Sequence, residues 1–534
     1  MKKRYYLLIG LCSVSFASLA QILNENNVNT SFYDNGFFFT DSINSTHNYE
    51  VPAGNGTHAI FSGALWFGGT DVNGQVKLAA QQYAGNGQDY WGGPATRHNP
   101  SEWAPNNWST IQNYFGQTTW SVTKDDIDYH IANYQASGYI MPADIEKWPA
   151  HGDTTLGNYD GMLSYIAPFV DVNNNGVYEP ALGDYPCIKG DAATYIISSD
   201  VGGLHSVSNG DPIGAEFHFM FYQYSSVPEL MNTTFVDVEV VNMGTQTLFG
   251  TTASFFLDTD LGNYFDDYVG TDTTRNMIYT YNGDNLDENT GGVIGYGANP
   301  PALGLVVLSH ELDFSISYSN SVSYPFTDPN LSVEYYNAMR GNWQDGSDQL
   351  DQNNQLTDYF YTGDPNTTGS WSENNVANPP GDRRMLASTD LGVFTPDMSV
   401  GAVDRVKLSY AIVYAQGTDN LNSVTELQAT ADAVQVFYNG LGSDCFDNAL
   451  ASLQENQLIN FTIQPNPNNG TFVIDSNDSF EFATARIYDS AGKLVYVKDI
   501  NQGKTHFKPE LSPGMYYLEL DADISKGVQK FVVQ

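Results

Sequence analysis

The chain has 534 residues, of which 61 are Asp or Glu and only 21 are Lys or Arg, so its formal net charge is −40 at pH 7. This length predicts more than one domain, and the 41% share of hydrophobic residues is enough to fill large cores. An acidic surface of this kind opposes binding to nucleic acid and to anionic membranes, whereas it suits solubility or the binding of divalent cations.

The first twenty residues have the pattern of a secretory signal peptide. The basic residues Lys2-Lys3-Arg4 precede an apolar stretch, residues 7–16, and small side chains follow at Ser18 and Ala20. Cleavage is therefore predicted after Ala20, so that the mature chain begins at Gln21. No later apolar run reaches the ~20 residues that a membrane-spanning helix needs. We expect an exported protein without a membrane span.

Two cysteines follow the predicted cleavage site, Cys187 and Cys445. Export makes a disulfide chemically possible. The sequence leaves open whether these two residues pair or remain buried thiols. Because the chain contains no C-x-x-C pair, a thiolate zinc site is not expected.

Residues 21–210 are predicted to form a mixed region of short strands, turns and a few helices. Thr123 and Asp126 make an N-terminal capping pattern, and Ile127 and Ile131 follow at helical spacing. A second, short helix is predicted between residues 142 and 149.

The most specific motif of this region is the stretch FVDVNNNGVYEPALGDYP, residues 169–186. Its first half matches a calcium loop, in which oxygens at alternate positions converge on one ion. The candidate ligands are Asp171, Asn173, Asn175, Val177, Glu179 and Asp184. The first three offer side-chain oxygens and the fourth a backbone carbonyl. One of the last two must complete the shell, because Leu182 stands where a Glu is expected. The alternative is an Asn-Gly surface turn without a metal.

Residues 211–440 predict an antiparallel β-sandwich with a long insertion at residues 320–382. Strands are expected near residues 217–222, 235–241, 248–257, 293–308, 314–318 and 405–415. The second of these alternates apolar and acidic residues, as a strand with one solvated face would. A helix is predicted over residues 424–438.

A second acidic cluster follows one of these strands and consists of Asp258, Asp260, Asp266 and Asp267. Four carboxylates within ten residues repel one another unless they are solvated, hydrogen-bonded or bound to a cation. The cluster predicts a further calcium site. Ordinary solvated loop acids and a glycosidase-type pair, one acid with one base or nucleophile, remain open as alternatives.

Glu216 and His218 share one face of a predicted strand, and His205 is near them in the sequence. Two imidazoles and a carboxylate could bind a transition metal. The alternative is a hydrogen-bonded sheet surface. Neither a G-x-S-x-G nucleophile motif nor an H-E-x-x-H zinc motif occurs in the chain.

The composition changes after a linker predicted at residues 441–458. Residues 459–534 contain seven Lys or Arg and nine Asp or Glu, so this segment is nearly neutral. Apolar residues alternate with polar ones along it, which predicts a small Ig-like β-sandwich. The charge shift indicates a separate domain.

Motifs in this segment resemble the type A C-terminal sorting domain of type IX secretion, an export route of Bacteroidetes. The residues that carry the resemblance are Pro465, Asn466, Pro467, Gly470, Gly492, Gly514 and Tyr516. The resemblance implies a seven-stranded sandwich that interacts with the outer-membrane translocon and its sorting machinery. It also implies removal of the tail, followed by attachment to surface polysaccharide or by release.

The preceding residues, 24–440, resemble large surface proteins that carry such tails, through G-A-L-W at 63–66, W-P-A-H-G-D at 148–153 and G-D-Y-P at 183–186. The sequence as a whole predicts a mainly β, secreted protein at the outer-membrane surface or outside the cell. We interpret it as a non-enzymatic adhesion or glycan-binding protein with loops stabilised by Ca²⁺. The alternatives are a polysaccharide hydrolase with paired carboxylates and a structural surface-layer component.

Overall fold

The structure, a computed structural model, describes residues 21–41, 46–83, 85, 87–95, 117–151, 163, 165–244, 246–396, 405–441, 461–476, 482–489, 494–501, 503–509, 511–522 and 525–534. Contacts along the chain divide it into two units, residues 1–446 and 447–534, which we call the body and the tail. The predicted signal peptide and nearly all of the predicted linker lie outside the described residues.

The described strands of the body are β1 (Gln21–Leu23), β2 (Asn29–Phe32), β3 (Phe37–Phe38), β4 (Thr40–Asp41), β5 (Thr46–His47), β6 (Tyr49–Glu50), β7 (His58–Ile60), β8 (Ser62–Thr70), β9 (Val76–Ala79), β10 (Trp91–Gly92), β11 (Thr119–Thr123), β12 (Phe169–Val170), β13 (Tyr185–Pro186), β14 (Ala192–Ser199), β15 (Ala215–Gln223), β16 (Thr233–Asn242), β17 (Leu248–Thr259), β18 (Asp267–Asp272), β19 (Met277–Asn282), β20 (Leu286–Asp287), β21 (Gly297–Ala298), β22 (Ala302–Val307), β23 (Phe314–Tyr318), β24 (Gln349–Leu350), β25 (Leu356–Thr357), β26 (Arg383–Phe394) and β27 (Val406–Ala415). The described α-helices are α1 (Lys124–Asn133), α2 (Ala143–Glu146), α3 (Ser332–Met339), α4 (Glu373–Val376) and α5 (Asn420–Gly440), and short 3₁₀ turns span Pro180–Leu182 and Pro228–Leu230.

Two antiparallel sheets make up most of the described body, which confirms the predicted mainly β fold. The first sheet has the order β23–β26–β17–β8–β3–β2–β6–β7, with β1 beside β2 and β9 beside β8. The second has the order β10–β14–β15–β16–β27–β22–β19–β18, with β11 beside β14. Both sheets take strands from either side of residue 210, so the regions predicted as 21–210 and 211–440 interleave.

The two sheets pack face to face around an aromatic core. Phe217, Phe219 and Phe221 of β15 alternate along the strand and enter the same cluster as Phe255 of the opposite sheet. Phe32 stacks on Phe221 with ring centroids 4.0 Å apart. Such aromatic pairs add to the free energy gained by burying the rings.

The outer faces of both sheets are covered as well. Met220 and Tyr222, which point away from the core between the sheets, pack in a second cluster with residues of α5 such as Leu427. On the outer face of the first sheet, Trp66 packs against Tyr335 of α3, with ring centroids 4.9 Å apart. The predicted insertion at 320–382 thus supplies a covering layer through α3.

Because the second sheet is covered, the prediction that β16 has a solvated face is wrong. Its acidic residues Asp237 and Glu239 are buried. Lys189 Nζ lies 2.9 Å from an oxygen of Asp237, and Arg405 Nη1 lies 2.6 Å from an oxygen of Glu239. A buried carboxylate needs such a partner, and neither partner is adjacent in the sequence.

The predicted helices are present. Thr123 caps α1, and its hydroxyl accepts a hydrogen bond from the backbone N–H of Asp126. Ile127 is buried as expected, whereas Ile131 is exposed and His130 takes the buried position instead. Helix α5 begins at Asn420, four residues earlier than predicted, and Asp419 is its N-cap. The strand predicted over residues 293–308 is shorter and corresponds to β22.

The tail forms the sandwich of seven strands that the resemblance implies. Its described strands are β28 (Phe461–Gln464), β29 (Phe472–Ser476), β30 (Phe482–Asp489), β31 (Leu494–Asn501), β32 (Gly503–Phe507), β33 (Gly514–Ala522) and β34 (Ser525–Val533). One sheet has the order β28–β29–β32 and the other β31–β30–β33–β34. Phe472, Ile487 and Phe531 lie in a core shared by the two sheets.

Candidate functional sites

Three carboxylates meet at one end of the first sheet. Strand β17 pairs with β26 so that Asp258 lies opposite Arg384. Asp382 precedes β26 and therefore comes close to Asp258 and Asp260. One carboxylate oxygen from each of these three residues lies within 4.8 Å of the other two. We call Asp258, Asp260 and Asp382, together with Arg384, the carboxylate centre.

Arg384 is the cation of this centre and contacts several acids at once. Its Nη1 lies 2.7 Å from Asp382 Oδ1, its Nη2 3.4 Å from Asp258 Oδ2 and its Nε 3.8 Å from Asp328 Oδ1. Arg384 Nε also donates to the Tyr83 hydroxyl, which in turn donates to Asp258 Oδ2 at 2.7 Å. The single guanidinium thus contacts three carboxylates, and Asp260 lies beside them.

Burial and mutual repulsion act on the acids of the centre. Burial raises the pKa of Asp258 to about 7; Arg384 opposes this rise, and Asp382 adds to it. Burial, and then the charges of Asp258 and Asp382, raise the pKa of Asp260 well above its usual range. Without a further cation, the centre therefore retains protons near neutral pH.

Asp266 and Asp267, the other two acids of the predicted cluster, lie beside Asp287. Asp267 Oδ2 accepts a hydrogen bond from the backbone N–H of Leu261 at 3.1 Å. Burial, and then the charge of Asp287, raise the pKa of Asp266 to about 6. The structure therefore divides the four acids into a pair that joins the carboxylate centre and a pair beside Asp287.

The loop at residues 171–184 closes through its own backbone amides. Asp171 Oδ2 accepts from the N–H of Gly176, Asn173 Oδ1 from that of Asn175, and Asn175 Oδ1 from that of Val177, at 2.6–3.0 Å. Oxygens at alternate positions thus turn towards the loop interior, as a calcium loop requires. Asx turns have the same hydrogen bonds without a metal, so calcium binding stays a prediction.

Asp184 and Glu179 close this loop from its far end. Asp184 is fully buried, and its two oxygens accept from the backbone N–H groups of Val172 and Glu179, at 2.9 and 2.7 Å. Glu179 Oε2 accepts from the side-chain amide of Asn175 at 2.6 Å. Of the two candidates for completing a calcium shell, Glu179 lies beside the side chains of the other ligands, whereas Asp184 hydrogen-bonds to the backbone of the loop.

Glu216 and His218 form part of a buried ion network rather than an open metal site. His218 Nε2 lies 2.6 Å from Glu216 Oε1, and His218 Nδ1 lies 3.5 Å from an oxygen of Glu239. Arg405 contacts the same carboxylate of Glu239. Burial lowers the pKa of His218, but the hydrogen bonds to Glu216 and Glu239 outweigh this effect and raise it above its usual value.

His205, the third candidate ligand of the possible transition-metal site, contacts other groups. Its Nδ1 lies 2.7 Å from the carbonyl oxygen of Leu78, and its Nε2 lies 2.8 Å from that of Asp200. Both ring nitrogens of His205 therefore face backbone carbonyl groups, and neither is directed at Glu216 or His218.

An open cleft of about 470 Å³ lies between α5 and the turns that flank β19 and β22. Its polar lining residues are Thr274, Arg275, Asn276, Ser309, His310, Glu311, Asp432, Gln435 and Asn439. Arg275 donates two parallel hydrogen bonds to Asp432, both 2.9 Å long, which fix one wall of the cleft. Burial lowers the pKa of His310, so its ring is neutral near pH 7. Leu308 and Ala431 supply an apolar part of the surface.

In the tail, the sorting-motif residues tie the first strand to the last. Asn466 accepts a hydrogen bond from the N–H of Val532 and donates one to the carbonyl of Lys530, at 3.0 and 3.1 Å. Pro465 and Asn466 also line a cavity of about 690 Å³ with Lys504 and His506.

The remaining motif residues have local roles in the tail. Gly470 has φ +87°, a conformation that favours glycine. The Tyr516 hydroxyl donates to the carbonyl of Ser512 two residues before Gly514, at which β33 begins. Pro467 follows Asn466, and Gly492 lies outside the described residues.

Cys187 is buried and disulfide-bonded. The chain has two other cysteines, Cys12 and Cys445, and both lie outside the described residues. The alternative of two free thiols is therefore wrong for Cys187.

None of the described helices combines the length and the apolar character needed to cross a membrane.

Sequence reasoning missed half of the carboxylate centre. Asp382 and Arg384 come from a segment far from Asp258 in the chain, and the pairing of β17 with β26 brings them together. Tyr83 and Asp328 contact Arg384 from two further segments. The D-R-R motif at residues 382–384, whose two arginines begin β26, was the one local signal.

Comparisons with known proteins identify the tail. Residues 462–534 match the model of the secretion system C-terminal sorting domain. The chain is therefore cargo of the type IX secretion system and is secreted or displayed at the cell surface, where the sorting domain interacts with the secretion machinery. A search of curated proteins found no match to the chain.

Two solved structures show weak similarity to the chain. One is the BSP domain of a biofilm associated protein, with 10% identity and a TM-score of 0.13. The match covers 64% of this chain and 59% of that one. The other is PorZ, an essential bacterial surface component of the type-IX secretion system of Porphyromonas gingivalis, with 8% identity and a TM-score of 0.13 over 70% and 48%. The chain spans about half to three-fifths of the length of these structures. At these TM-scores neither similarity carries an argument.

Proposed function

We propose that the mature protein is a non-catalytic surface protein that binds glycans through the open cleft beside α5 and mediates adhesion, with calcium stabilising the loop at residues 171–184. The observation that carries the glycan proposal is the cleft itself. Its volume of about 470 Å³ falls in the range of small-molecule sites, ~300–1,000 Å³. It offers carboxylate, amide and imidazole groups around an apolar patch, which is the mixture that recognises sugar hydroxyls and ring faces.

The burial of three of the candidate acids argues against the hydrolase alternative. Asp258, Asp267 and Glu216 are 2%, 0% and 0% exposed, so a polysaccharide cannot reach them without rearrangement. Each is also engaged, Asp258 by Arg384, Asp267 by the N–H of Leu261 and Glu216 by His218. A glycosidase needs both carboxyl groups beside the scissile bond.

Glycan binding can be tested on the mature chain, residues 21–534, with an array of bacterial and host glycans. We expect at least one glycan class to bind and a double change, Glu311→Ala with Asn439→Ala, to weaken that binding at least ~10-fold, since both side chains face the cleft. Asp128→Asn, on exposed α1, is the matched control and should bind as the unchanged protein does. Equal binding by the double variant would refute the assignment to this cleft, and release of reducing ends would favour the hydrolase.

Calcium binding to the loop should stabilise the body. A ligand that binds only the folded state adds RT ln(1 + [L]/Kd) to the free energy of unfolding, about 2.7 kcal/mol at a hundredfold excess over Kd. We therefore expect chelation to lower the melting temperature, and Asp171→Ala to lower it in calcium and to remove most of the response to chelator.

The matched control for this prediction is Asp351→Ala. Asp351 also accepts hydrogen bonds from backbone N–H groups two and four residues ahead in an exposed turn, but this turn lacks the N-G step. Its variant should keep the full calcium response. A melting curve of the unchanged protein that is the same from micromolar to millimolar calcium would contradict the calcium site.

A further inference from the structure

We propose that the carboxylate centre binds a divalent transition-metal ion of the Zn²⁺ type, with Asp258, Asp260, Asp382 and His47 as ligands. This site differs in both residues and metal from the calcium site that the sequence predicts for Asp258, Asp260, Asp266 and Asp267. It does not depend on the glycan proposal.

The charge of the centre calls for a further cation. Asp258, Asp260, Asp328 and Asp382 surround the single guanidinium of Arg384, so full ionisation leaves three negative charges uncompensated. Asp258 and Asp260 are 2% and 8% exposed, so water screens them poorly. Buried charges of this kind are paired, protonated or bound to a metal.

An independent observation is that buried polar atoms in the centre have no partner. One oxygen of Asp260 lies within 4.8 Å of oxygens of Asp258 and Asp382. Asp258 Oδ2 accepts from Tyr83, whereas Asp258 Oδ1 is buried without a hydrogen-bond partner. Because buried polar atoms nearly always have partners, these oxygens point to a ligand.

His47 supplies a nitrogen donor, which favours a transition metal over calcium. Its Nδ1 is buried without a hydrogen-bond partner and lies 3.8 Å from Asp260 Oδ2. An imidazole nitrogen in this position can offer a lone pair to a metal. Calcium prefers an all-oxygen shell, whereas a mixed set of carboxylates and imidazole suits Zn²⁺ and its neighbours in the transition series.

For the three carboxylates the geometry requires only a small contraction, whereas His47 lies outside the group of atoms within 4.8 Å of one another and its ring has to move towards them. Three oxygens at most 4.8 Å apart have a common centre no more than about 2.8 Å from each, and zinc–oxygen bonds are about 2.0–2.2 Å long. Arg384 and Tyr83 then hold the carboxylates from outside, as residues behind metal ligands commonly do.

The test uses the mature chain, residues 21–534, freed of metal with a chelator and kept in millimolar calcium so that the calcium loop is not available to zinc. Zn²⁺ is titrated against a chromophoric chelator, and Co²⁺ is added separately as a spectroscopic substitute. We expect one tight Zn²⁺ per chain and visible Co²⁺ absorption.

Asp260→Asn and His47→Gln should each weaken Zn²⁺ binding at least ~100-fold, since loss of outer-shell partners alone costs 10–100-fold. Asp266→Asn, which changes a half-buried acid of the neighbouring pair, should bind within about twofold of the unchanged protein.

Folding of the variants is checked by thermal melts without metal. Asp260→Asn removes one of several crowded negative charges and should melt at or above the temperature of the unchanged protein. If it fails to fold, His47→Gln decides, because that side chain is 21% exposed and its contact with Asp260 is as long as 3.8 Å. No stoichiometric Zn²⁺ in the unchanged protein, unchanged affinity in both variants, or a preference for Ca²⁺ that His47→Gln leaves intact would overturn the proposal.

Discussion

A chain that ends at residue 458 is expected to remain in the periplasm, whereas the full chain reaches the cell surface. Residues 462–534 match the sorting domain, and the type IX machinery acts on cargo that carries it. The tail is a compact unit of its own in which Asn466 links β28 to β34. Truncation therefore removes the whole recognition element and should leave the fold of the body intact.

Protease treatment of intact cells measures this difference, because only displayed or released protein is accessible. The matched control is a foreign periplasmic protein fused to residues 459–534, which should appear outside the cell. A second variant, Asn466→Ala in the full chain, removes both hydrogen bonds to β34 and should reduce export in part. Cleavage of the truncated body on intact cells would contradict the assignment of the sorting function to the tail.

Replacement of Arg405 by Met is expected to destabilise the body by about 3–5 kcal/mol, the usual cost of removing one partner from a buried ion pair. Arg405 and Glu239 have side chains only 6% and 5% exposed. Arg405 also donates to the carbonyl of Tyr165. Without the guanidinium, Glu239 remains buried with His218 and Lys407, which contact it at 3.5 and 3.6 Å.

Urea unfolding of the mature chain measures the loss, and Lys124→Met is its control. Lys124 forms an ion pair with Asp128 at 2.9 Å, but both side chains are more than half exposed. Exposed pairs contribute little, so this variant should unfold as the unchanged protein does. Equal stability of the Arg405→Met variant would show that the buried pair does not hold the second sheet together.

The ion network of Glu239, His218 and Arg405 predicts that the free energy of unfolding depends on pH. The pKa of His218 is raised in the folded state, so its contribution is complete below the unfolded value, about 6.5, and is lost as the pH rises through the folded value. Burial raises the pKa of Glu239, but Arg405 and His218 outweigh this effect and hold it below its usual range, so that its contribution is lost only in acid. His218→Gln should therefore flatten the fall in stability as the pH rises above about 6.5. An identical pH profile for this variant would contradict the network.

Local signals were sufficient for several parts of the protein. The sorting tail, the capping of α1 by Thr123 and strands such as β23 and β27 follow from short-range patterns, because a cap or a strand depends on residues that are close together in the chain. The D-x-N-x-N-G loop is of the same kind, since its side chains hydrogen-bond to amides two to five residues ahead.

Burial and charge pairing were decided by tertiary structure. The acids of β16 look solvent-facing in the sequence, yet α5 and core residues such as Trp120 and Phe169 cover that face. Lys189 and Arg405 neutralise the acids from distant segments. The carboxylate centre likewise depends on the register that places Asp258 opposite Arg384, 126 residues further on. Local sequence determined which elements form, because propensity and capping act over a few residues. Only the packing of the sheets determined which charges meet, because strand pairing joins segments whose separation in the chain leaves no local trace.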